Sequence, residues 1–273
     1  MDWKKIKKID SHVHVTFRKM IGSDIKLNTP EKFLGVMKEH NIQKAVVVPI
    51  NYPYYHAKKS MGENSFELLK FNNNCQARIA KFSKKLICFA DIDLFGIEVK
   101  DTLQELERAI HNLKLKGIKI HPYNQGIKCN DKRIVEVMYF AKANDLPVII
   151  HSFPQKNKKN TYSSSPKYIV ELLQKVKSER VLISHMGGKD YNELRKIKCW
   201  FDFSFAGREF WYELGHEKLE KIIRNIGVER CCFSSDYASM EYKKYYEYLN
   251  KMNFSSDEIT NISYENAEKF LKI

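Results

Sequence analysis

Short apolar runs alternate with helical patterns along the whole chain. Eight runs are rich in Val, Ile and Phe, which is typical of buried parallel strands. These runs cover residues 9–15, 45–50, 86–92, 117–121, 147–151, 181–185, 199–203 and 231–235. Between them, apolar residues recur at positions i, i+3, i+4 and i+7, the spacing of a helix with one buried face. The sequence therefore predicts strands and helices in alternation.

Several helices can be placed from these apolar stripes. The clearest stripes begin at Ile134, Ile169, Leu219 and Tyr242. Thr29 followed by Pro30 is typical of a helix start, with Thr29 as the N-cap. The interval between the sixth and seventh runs leaves room for only a short helix. An extra helix, over about 257–272, is expected after the eighth unit.

Eight strand–helix units predict an α/β fold, a (β/α)8 barrel of the TIM type with one extra helix at its C-terminal end. The main alternative is an open doubly wound sheet, which usually carries a glycine-rich phosphate loop after its first strand. Here the first run ends in DSHVHV, without a GxGxxG motif. No segment rich in Ser, Gly or Pro divides the chain, so we expect one domain over residues 1–273.

The composition is that of a globular protein, with 273 residues, 43% hydrophobic and 29% charged, which excludes disordered and fibrous chains. No apolar run approaches the roughly 20 residues of a membrane span, and the start, MDWKKIKKID, contains no apolar signal segment. The six cysteines form no CxxC pair, so zinc-knuckle and thioredoxin motifs are absent. We therefore expect a cytoplasmic protein with reduced thiols and no membrane partner.

The chain is basic, since 47 Lys and Arg residues and 33 Asp and Glu residues give a net charge of +14. Such a charge permits binding of nucleic acid or of an anionic substrate. The densest lysine clusters lie at 4–8 (KKIKK) and 156–159 (KNKK). Because lysines are otherwise spread along the whole chain, a solvated basic surface is the favoured interpretation.

Histidines gather where the predicted strands end, and barrel enzymes build their sites at these C-terminal ends. Five of the nine histidines lie there with one lysine and one aspartate, namely His12, His14, Lys119, His121, His151, His185 and Asp236. Side chains at i and i+2 of a strand point to the same face, so His12 and His14 both face the barrel mouth. Asp236 follows strand eight, which closes onto strand one, and should therefore lie close to them.

These side chains fit a divalent metal site, with zinc as the expected ion. Neutral imidazole is the commonest protein ligand of zinc, and a catalytic zinc site needs about three protein ligands and an open position. Asp10 has two interpretations, an orienting partner on the face of His12 or an ordinary buried hydrogen-bonding residue. Cys231 and Cys232 are expected in the core, since no further cysteine has ligand spacing.

Six segments resemble the amidohydrolase superfamily, and most closely its amidohydrolase-related branch of metal-dependent hydrolases and decarboxylases. They are DSHVHV (10–15), GIKIHP (117–122), LPVIIHS (146–152), VLISHMGG (181–188), FSSDYAS (233–239) and ISYENAEKFL (262–271). The resemblance runs from Asp10 to Leu271. It implies a distorted (β/α)8 barrel that holds one or two divalent metal ions.

The resemblance also implies roles for individual residues. His12, His14 and His151 match the family's metal ligands, and Asp236 matches its metal-bound catalytic aspartate. His185 matches a position that binds a second metal in binuclear members. In mononuclear members the same position hydrogen-bonds the metal-bound water.

Lys119 leaves two interpretations open. Binuclear relatives carry a carboxylated lysine on strand four, which bridges the two metals. Lys119 is either this bridge or an ordinary lysine that binds a substrate carboxylate or lies in the barrel wall. Strand four also lacks the glutamate found in the superfamily's nucleases, so a nucleic-acid partner is not expected.

The sequence thus predicts a metal-dependent hydrolase that cleaves an amide, lactone or other ester bond. The metal would lower the pKa of its bound water, and Asp236 would take the proton as general base. His185 would position the water or stabilise the developing oxyanion. The first alternative is non-oxidative decarboxylation of a small carboxylic acid on the same scaffold. The second is a metal- or nucleic-acid-binding protein without turnover.

Residues at the predicted barrel mouth indicate a small anionic substrate. Lys119, His121 and Arg208 are the expected substrate-binding residues, with a carboxylate held by Arg208 or Lys119. Candidate specificity loops follow strands two, five and seven, at 51–64 (with Tyr52, Tyr54 and Tyr55), 153–166 and 205–213. The loop at 153–166 is long enough to act as a lid. The sequence leaves open whether the chain forms a homo-oligomer.

Overall fold

The computed structural model describes residues 1–17, 27–49, 64–153, 163–204, 214–239 and 241–273. Eight parallel strands occur in these residues in the predicted order. β1 spans Lys8–Val13, β2 Ile42–Val47, β3 Leu86–Cys88, β4 Ile118–Ile120, β5 Val148–His151, β6 Val181–Ser184, β7 Trp200–Asp202 and β8 Cys231–Cys232. Each strand overlaps the apolar run that predicted it.

The strands form two parallel sheets that meet at two seams. β1, β2 and β3 make one sheet, and β4 to β8 make the other, each in sequence order. At the seam between β3 and β4, the backbone N–H of Ala90 donates to the carbonyl of Gly117 at 2.7 Å. At the seam between β8 and β1, the backbone N–H of Asp236 donates to the carbonyl of His12 at 2.9 Å. The strands therefore follow one another around a barrel, which confirms the predicted fold.

Helices fill the intervals between the strands. In chain order, α1 to α11 span Pro30–Glu39, Ser65–Ala80, Val99–Glu107, Pro122–Gln125, Lys132–Ala143, Pro166–Val176, Tyr191–Leu194, His216–Ile226, Tyr242–Leu249, Ser256–Thr260 and Asn266–Leu271. A π-helical turn at Asn261–Glu265 joins α10 to α11, so the predicted C-terminal helix is continuous. α1 begins as predicted, since Thr29 Oγ1 accepts from the backbone N–H of Lys32 at 3.4 Å.

The apolar stripes that predicted the helices are buried against the strands. Ile134, Ile169, Leu219 and Tyr242 are each exposed by 2% or less. Burying an aliphatic side chain of this size contributes about 1.5–3 kcal/mol, so these faces hold the helical layer on the barrel. Within the described part of the chain, no helix is both long and apolar enough to cross a membrane.

The C-terminal helix covers one end of the barrel. One buried cluster joins this helix to the barrel, and it contains the strand residues Ile9, Val46, Ile149, Leu182 and Cys232, Phe89 directly after β3, and Ala267, Phe270 and Leu271. Gly117 is required beside this cluster, because a Cβ there would lie 2.5 Å from the ring of Phe89. Cys231 and Cys232 are both fully buried, as predicted. This end of the barrel is therefore apolar, and polar residues are left for the other end.

Lys8 is buried, although the sequence places it in a basic cluster expected on the surface. It is 0% exposed, and its Nζ donates to the carbonyl of Ile6 and, at 2.7 Å, to that of His40 after the end of α1. Nζ also lies 5.4 Å from the centroid of the Tyr246 ring. Burial lowers the pKa of Lys8 to about 7, because the charged form loses its hydration. Lys8 thus ties the start of β1 to the end of α1.

Replacing Lys8 by Met should change how stability depends on pH. The pKa of Lys8 is lower in the folded chain than in the unfolded one, so the unfolded chain binds the proton more tightly. The folded protein therefore becomes more stable as the pH rises from about 7 towards 10.5. This contribution is lost as the pH falls through about 7. The unfolding free energy of the wild type relative to Lys8→Met should therefore rise by about 4–5 kcal/mol over that window.

Urea unfolding at pH 6 and at pH 10 measures this difference. Lys5→Met is the matched control, since it makes the same substitution at a side chain that is 86% exposed. If the stability difference between wild type and Lys8→Met stays constant across the two pH values, Lys8 does not titrate as described.

Candidate active site and metal centre

The seam between β1 and β8 brings three predicted residues together. His14 Nε2 lies 2.9 Å from Asp236 Oδ1, and His12 Nε2 lies 3.7 Å from the same oxygen. The three side chains belong to residues that are 2–7% exposed, and their ligand atoms all lie within 4.8 Å of one another. Two imidazole nitrogens and one carboxylate oxygen thus converge at the C-terminal ends of the strands.

Hydrogen bonds at Nδ1 turn both rings so that Nε2 faces Asp236. His14 Nδ1 lies 3.1 Å from the carbonyl oxygen of Val48, which only accepts, so Nδ1 carries the proton. His12 Nδ1 lies 3.0 Å from Oδ2 of Asp202. In its neutral form each ring therefore has the Nε2 lone pair on the side of Asp236. This is the orientation of a histidine that binds a metal.

The Asp236 carboxyl is ionised in this setting. Burial opposes ionisation, yet the hydrogen bond with His14 and the nearby imidazoles outweigh it and hold the pKa of Asp236 below its usual range. The backbone at Asp236 has a φ of 56°, in the left-handed region that costs energy for a residue with a Cβ. The chain turns sharply after β8 and places this carboxylate against β1.

Asp202, at the end of β7, is a site residue that the sequence analysis missed. It is 0% exposed, and its Oδ1 accepts from the backbone N–H of His185 at 2.9 Å. Burial opposes ionisation, but the hydrogen bond with His12 and the adjacent imidazoles hold the pKa of Asp202 below its usual range. The signal that could have found it is an aspartate inside an otherwise apolar strand end, WFDFS (200–204).

His185 follows β6 and is held by the same carboxylate through Ser204. Ser204 Oγ lies 2.8 Å from His185 Nδ1 and 2.5 Å from Asp202 Oδ1. The His185 ring centroid lies 5.4 Å from that of His12, and one atom each of His12, His185 and Asp202 form a second converging group within 4.8 Å. Burial lowers the pKa of His185, so the ring is neutral at pH 7.

Lys119, on β4, lies beside His12. Its Nζ is 3.4 Å from His12 Nε2 and 3.2 Å from Ser184 Oγ, and the residue is 3% exposed. Burial lowers the pKa of Lys119 to about 8. Burial and the charge of Lys119 together lower the pKa of His12 to about 4. A largely charged ammonium therefore lies next to neutral imidazoles.

His121 and His151 stack face to face, with ring centroids 3.8 Å apart and planes 12° apart. Nδ1 of His121 and Nε2 of His151 are buried, and neither has a hydrogen-bond partner within the described residues. Burial lowers the pKa of both rings well below its usual value. His151 lies 4.9 Å from His185 by ring centroids but belongs to neither converging group in the described chain. Its role as a metal ligand stays a prediction.

Asp10 points towards α9, and its interpretation as a buried hydrogen-bonding residue is confirmed, since it is 0% exposed. The pairing of β1 with β2 shifts register between Asp10 and Val13, so simple two-residue alternation fails there. Asp10 Oδ2 accepts from Tyr242 Oη at 2.6 Å and from Ser235 Oγ at 2.5 Å, and Oδ1 accepts from the backbone N–H of His12 at 3.1 Å. Asp10 thus ties β1, the end of β8 and α9 together behind the site.

Other predicted residues lie outside the described chain. These are Arg208, Tyr52, Tyr54 and Tyr55, with most of the three candidate specificity loops. His40 and His111, which are not among the five histidines at the predicted strand ends, lie elsewhere. His40 stacks on Tyr242 with ring centroids 4.8 Å apart, and His111 pairs with Glu107 at 3.1 Å.

The donor set fits a divalent metal ion. Imidazole nitrogens and a carboxylate oxygen are ligands that zinc and related metals accept. Because His14 Nδ1 donates to Val48, the 2.9 Å contact between His14 Nε2 and Asp236 Oδ1 requires a proton or a cation between the two atoms. The buried Nε2 of His151 is a further donor atom without a hydrogen-bond partner in the described residues. His12, His14 and Asp236 are therefore the residues that would hold the metal, with His151 beside them.

A family profile and several solved structures match the chain over nearly its whole length. The profile of the amidohydrolase family matches residues 9–273. None of the curated proteins matches the chain. The 2,6-dihydroxybenzoate decarboxylase from Rhizobium has a TM-score of 0.75 and 14% identity, over 97% of this chain and 98% of that one.

Two further solved structures widen the range of chemistry. A dihydroxybenzoic acid decarboxylase from a Polaromonas species, with bound manganese and the inhibitor 2-nitroresorcinol, has a TM-score of 0.73 and 14% identity over 97% of both chains. A probable 2-pyrone-4,6-dicarboxylic acid hydrolase from Acinetobacter baumannii, with citric acid bound, has a TM-score of 0.67 and 17% identity over 98% of this chain and 100% of that one. At these identities the likeness shows a shared fold.

Removing two donors should empty the metal site. We expect about one to two divalent ions per purified chain, and His12→Ala/His14→Ala should lose them, because two of the converging ligand atoms disappear. Elemental analysis by mass spectrometry measures the content, and circular dichroism checks that the barrel is retained. The double variant His111→Ala/His216→Ala removes two imidazoles outside the converging groups and should keep its metal. Full metal content in His12→Ala/His14→Ala would show that the ion binds elsewhere.

Proposed function

The chain belongs to the amidohydrolase family, and from that membership we propose that it is a metal-dependent hydrolase of a small anionic substrate. The bond cleaved is an amide, a lactone or another ester. One observation carries the proposal, the convergence of the Asp236 carboxylate with the Nε2 atoms of His12 and His14. A base in contact with two metal-ligand nitrogens is the arrangement that metal-assisted hydrolysis needs.

Four residues would hold the metal, namely His12, His14, His151 and Asp236. When bound, a divalent ion acidifies water and polarises the carbonyl group of a substrate. Zinc is the ion we propose, because three imidazoles and one carboxylate suit its ligand preference. Manganese is the second ion to test, since the Polaromonas neighbour was solved with it.

Asp236 and His185 are the proposed catalytic residues. Asp236 is ionised at neutral pH, so it can accept a proton from the attacking water and return it to the leaving group. His185 Nδ1 faces Ser204 Oγ and the Ser204 carbonyl oxygen, at 2.8 and 3.3 Å. A proton on Nδ1 leaves Nε2 as an acceptor, which suits His185 to positioning a water molecule rather than to donating to an oxyanion.

Lys119 supports an anionic substrate. Its ammonium is buried among neutral imidazoles, where a charge acts on a ligand more strongly than it does in water. The citric acid bound to the Acinetobacter neighbour and the benzoate substrate named for the Rhizobium one are both carboxylic acids. We propose His121 and Arg208 as further substrate-binding residues. The buried Nδ1 of His121 has no hydrogen-bond partner among the described residues.

Decarboxylation of a small carboxylic acid is the second candidate function. The ammonium of Lys119 close to His12 favours it, because a carboxylate held there would lie beside the metal-ligand nitrogens. Two of the three structural neighbours described above are decarboxylases. In this reaction the carboxylate leaves as carbon dioxide, a proton takes its place on carbon, and no water is consumed.

Turnover in oxygen-18 water separates the two reactions. The metal-loaded protein is given a panel of small amides, lactones, esters and carboxylic acids, each acid paired with its neutral methyl ester. Hydrolysis should place one labelled oxygen in the product, and the anionic member of each pair should react faster at low salt than at high salt. Release of carbon dioxide, with no labelled oxygen in the organic product, would establish decarboxylation instead. No turnover of any class by the metal-loaded protein would contradict both functions.

Asp236→Asn should distinguish the role of Asp236 as general base from its role as metal ligand. Asparagine keeps the size of the side chain and can still coordinate weakly, but it cannot accept a proton at neutral pH. We therefore expect most of the metal to be retained and kcat to fall by about 100-fold or more. Asp131→Asn, at the start of α5, is the control for a carboxylate-to-amide change away from the site. Normal turnover in Asp236→Asn would remove this residue from the mechanism.

A further inference from the structure

We propose that Asp202 is a positioning residue that fixes the proton positions of both His12 and His185, so that each ring presents an Nε2 lone pair to the site. The inference deepens the proposed function and rests on it for the use of the two rings. The proton positions themselves follow from hydrogen-bond geometry. They can therefore be tested without any substrate.

Both oxygens of Asp202 are committed to donors. Oδ2 lies 3.0 Å from His12 Nδ1. Oδ1 accepts from the backbone N–H groups of His185 at 2.9 Å and Ser204 at 3.1 Å, and from Ser204 Oγ at 2.5 Å. The side chain is 0% exposed, so these groups are not exchanged for bulk water. The carboxylate is thus held in one orientation by partners on three segments of the chain.

His12 takes its tautomer from Oδ2. An ionised carboxylate only accepts hydrogen bonds, so the proton shared with it sits on His12 Nδ1. The other nitrogen, Nε2, then has a lone pair and lies 3.7 Å from Asp236 Oδ1. A carboxylate behind a ligating histidine also raises the basicity of the ligand. Asp202 thereby makes His12 ready to bind a cation before the cation arrives.

His185 takes its tautomer from Oδ1 through Ser204. A hydroxyl group has one proton, and the 2.5 Å contact with Asp202 Oδ1 assigns that proton to the carboxylate. Ser204 Oγ is then left with lone pairs, so at 2.8 Å it must accept from His185 Nδ1–H. The carbonyl oxygen of Ser204 lies 3.3 Å from the same nitrogen and can only accept, so it also requires the proton to be on Nδ1. One carboxylate therefore fixes the tautomers of two imidazoles, that of His12 directly and that of His185 through the Ser204 hydroxyl.

Asp202→Asn has a defined consequence for His12. The amide oxygen should occupy the place of Oδ1, because three donors point there, and the amide NH2 must then face His12 Nδ1. An NH2 group donates, so His12 must accept at Nδ1 and carry its proton on Nε2. The variant should invert the tautomer of His12 and leave that of His185 in place, an outcome that mere loosening of the fold would not produce.

Nitrogen-15 NMR of histidine-labelled, metal-free protein measures the tautomers at pH 7. The wild type should show His12 and His185 with protons on Nδ1, and Asp202→Asn should show His12 with its proton on Nε2. Ser204→Ala should leave His12 unchanged, since it keeps the contact between Asp202 and His12. A wild-type His12 protonated on Nε2 would overturn the proposal, and this result is obtained even if Asp202→Asn fails to fold.

Metal affinity provides the second readout. Competition of a chromophoric chelator for Zn²⁺ should show a dissociation constant about 10- to 100-fold weaker in Asp202→Asn than in wild type, the usual cost of losing an outer hydrogen-bond partner of a ligand. Asp93→Asn is the matched control, because Asp93 is a buried carboxylate after β3 whose Oδ1 accepts from the backbone N–H of Phe95 at 2.8 Å. It should bind Zn²⁺ like wild type.

The outcomes separate this proposal from the proposed function. An unchanged Zn²⁺ affinity or an unchanged His12 tautomer in folded Asp202→Asn would overturn the role of Asp202, whatever reaction the enzyme performs. An equal loss of affinity in Asp93→Asn would do the same, because it would show a general effect of charge. Absence of hydrolysis by a wild-type protein with the expected tautomers would instead overturn the function alone.

Discussion

The hydrogen bonds that join the end of β8 to β1 are the constraint on which the candidate site depends. His14 and Asp236 are 222 residues apart in the chain, and their 2.9 Å contact exists because the Asp236 N–H donates to the carbonyl of His12. Only closure of the barrel, not local structure, brings these two residues together. A ligand that binds only the closed barrel stabilises that state by mass action, so a metal held between β1 and β8 would also hold the seam.

Burial decides the charge state of the side chains at this seam. Removal from water lowers the pKa values of His12, His151 and His185 and so favours their neutral, metal-binding forms, while hydrogen bonds and the nearby imidazoles keep the carboxylates of Asp202 and Asp236 ionised. Among the described site residues, two carboxylates face one ammonium, that of Lys119, which leaves one negative charge in excess. A divalent cation reverses this balance to one positive charge. A divalent cation bound there would therefore favour the proposed anionic substrate.

The sequence predicted what depends on pattern and missed what depends on packing. Alternation of apolar runs and stripes located all eight strands, and the rule that barrel sites lie at strand ends located His12, His14 and Asp236. Two interpretations of Asp10 stayed open, because a register shift inside a strand leaves no mark on alternation. Lys8 was assigned to the surface, since a run of lysines does not reveal that one of them caps α1 with its ammonium.

Asp202 was missed for the same reason, because its role depends on hydrogen-bond partners that lie on or after other strands. Its neighbours in sequence are apolar, and only the barrel brings Oδ2 to His12 and Oδ1 to the turn after β6. A fold fixes where strand ends meet but not which reaction they perform. Hydrolysis and decarboxylation would both use imidazole ligands, a bound divalent cation and an ionised Asp236, and the described residues supply the imidazoles and the carboxylate. The two reactions would differ in what lies beside Asp236: in the proposed hydrolysis a water molecule that gives up a proton, and in decarboxylation a substrate carbon that gains one. The choice between them therefore rests with the groups that fill the mouth above this carboxylate rather than with the carboxylate itself.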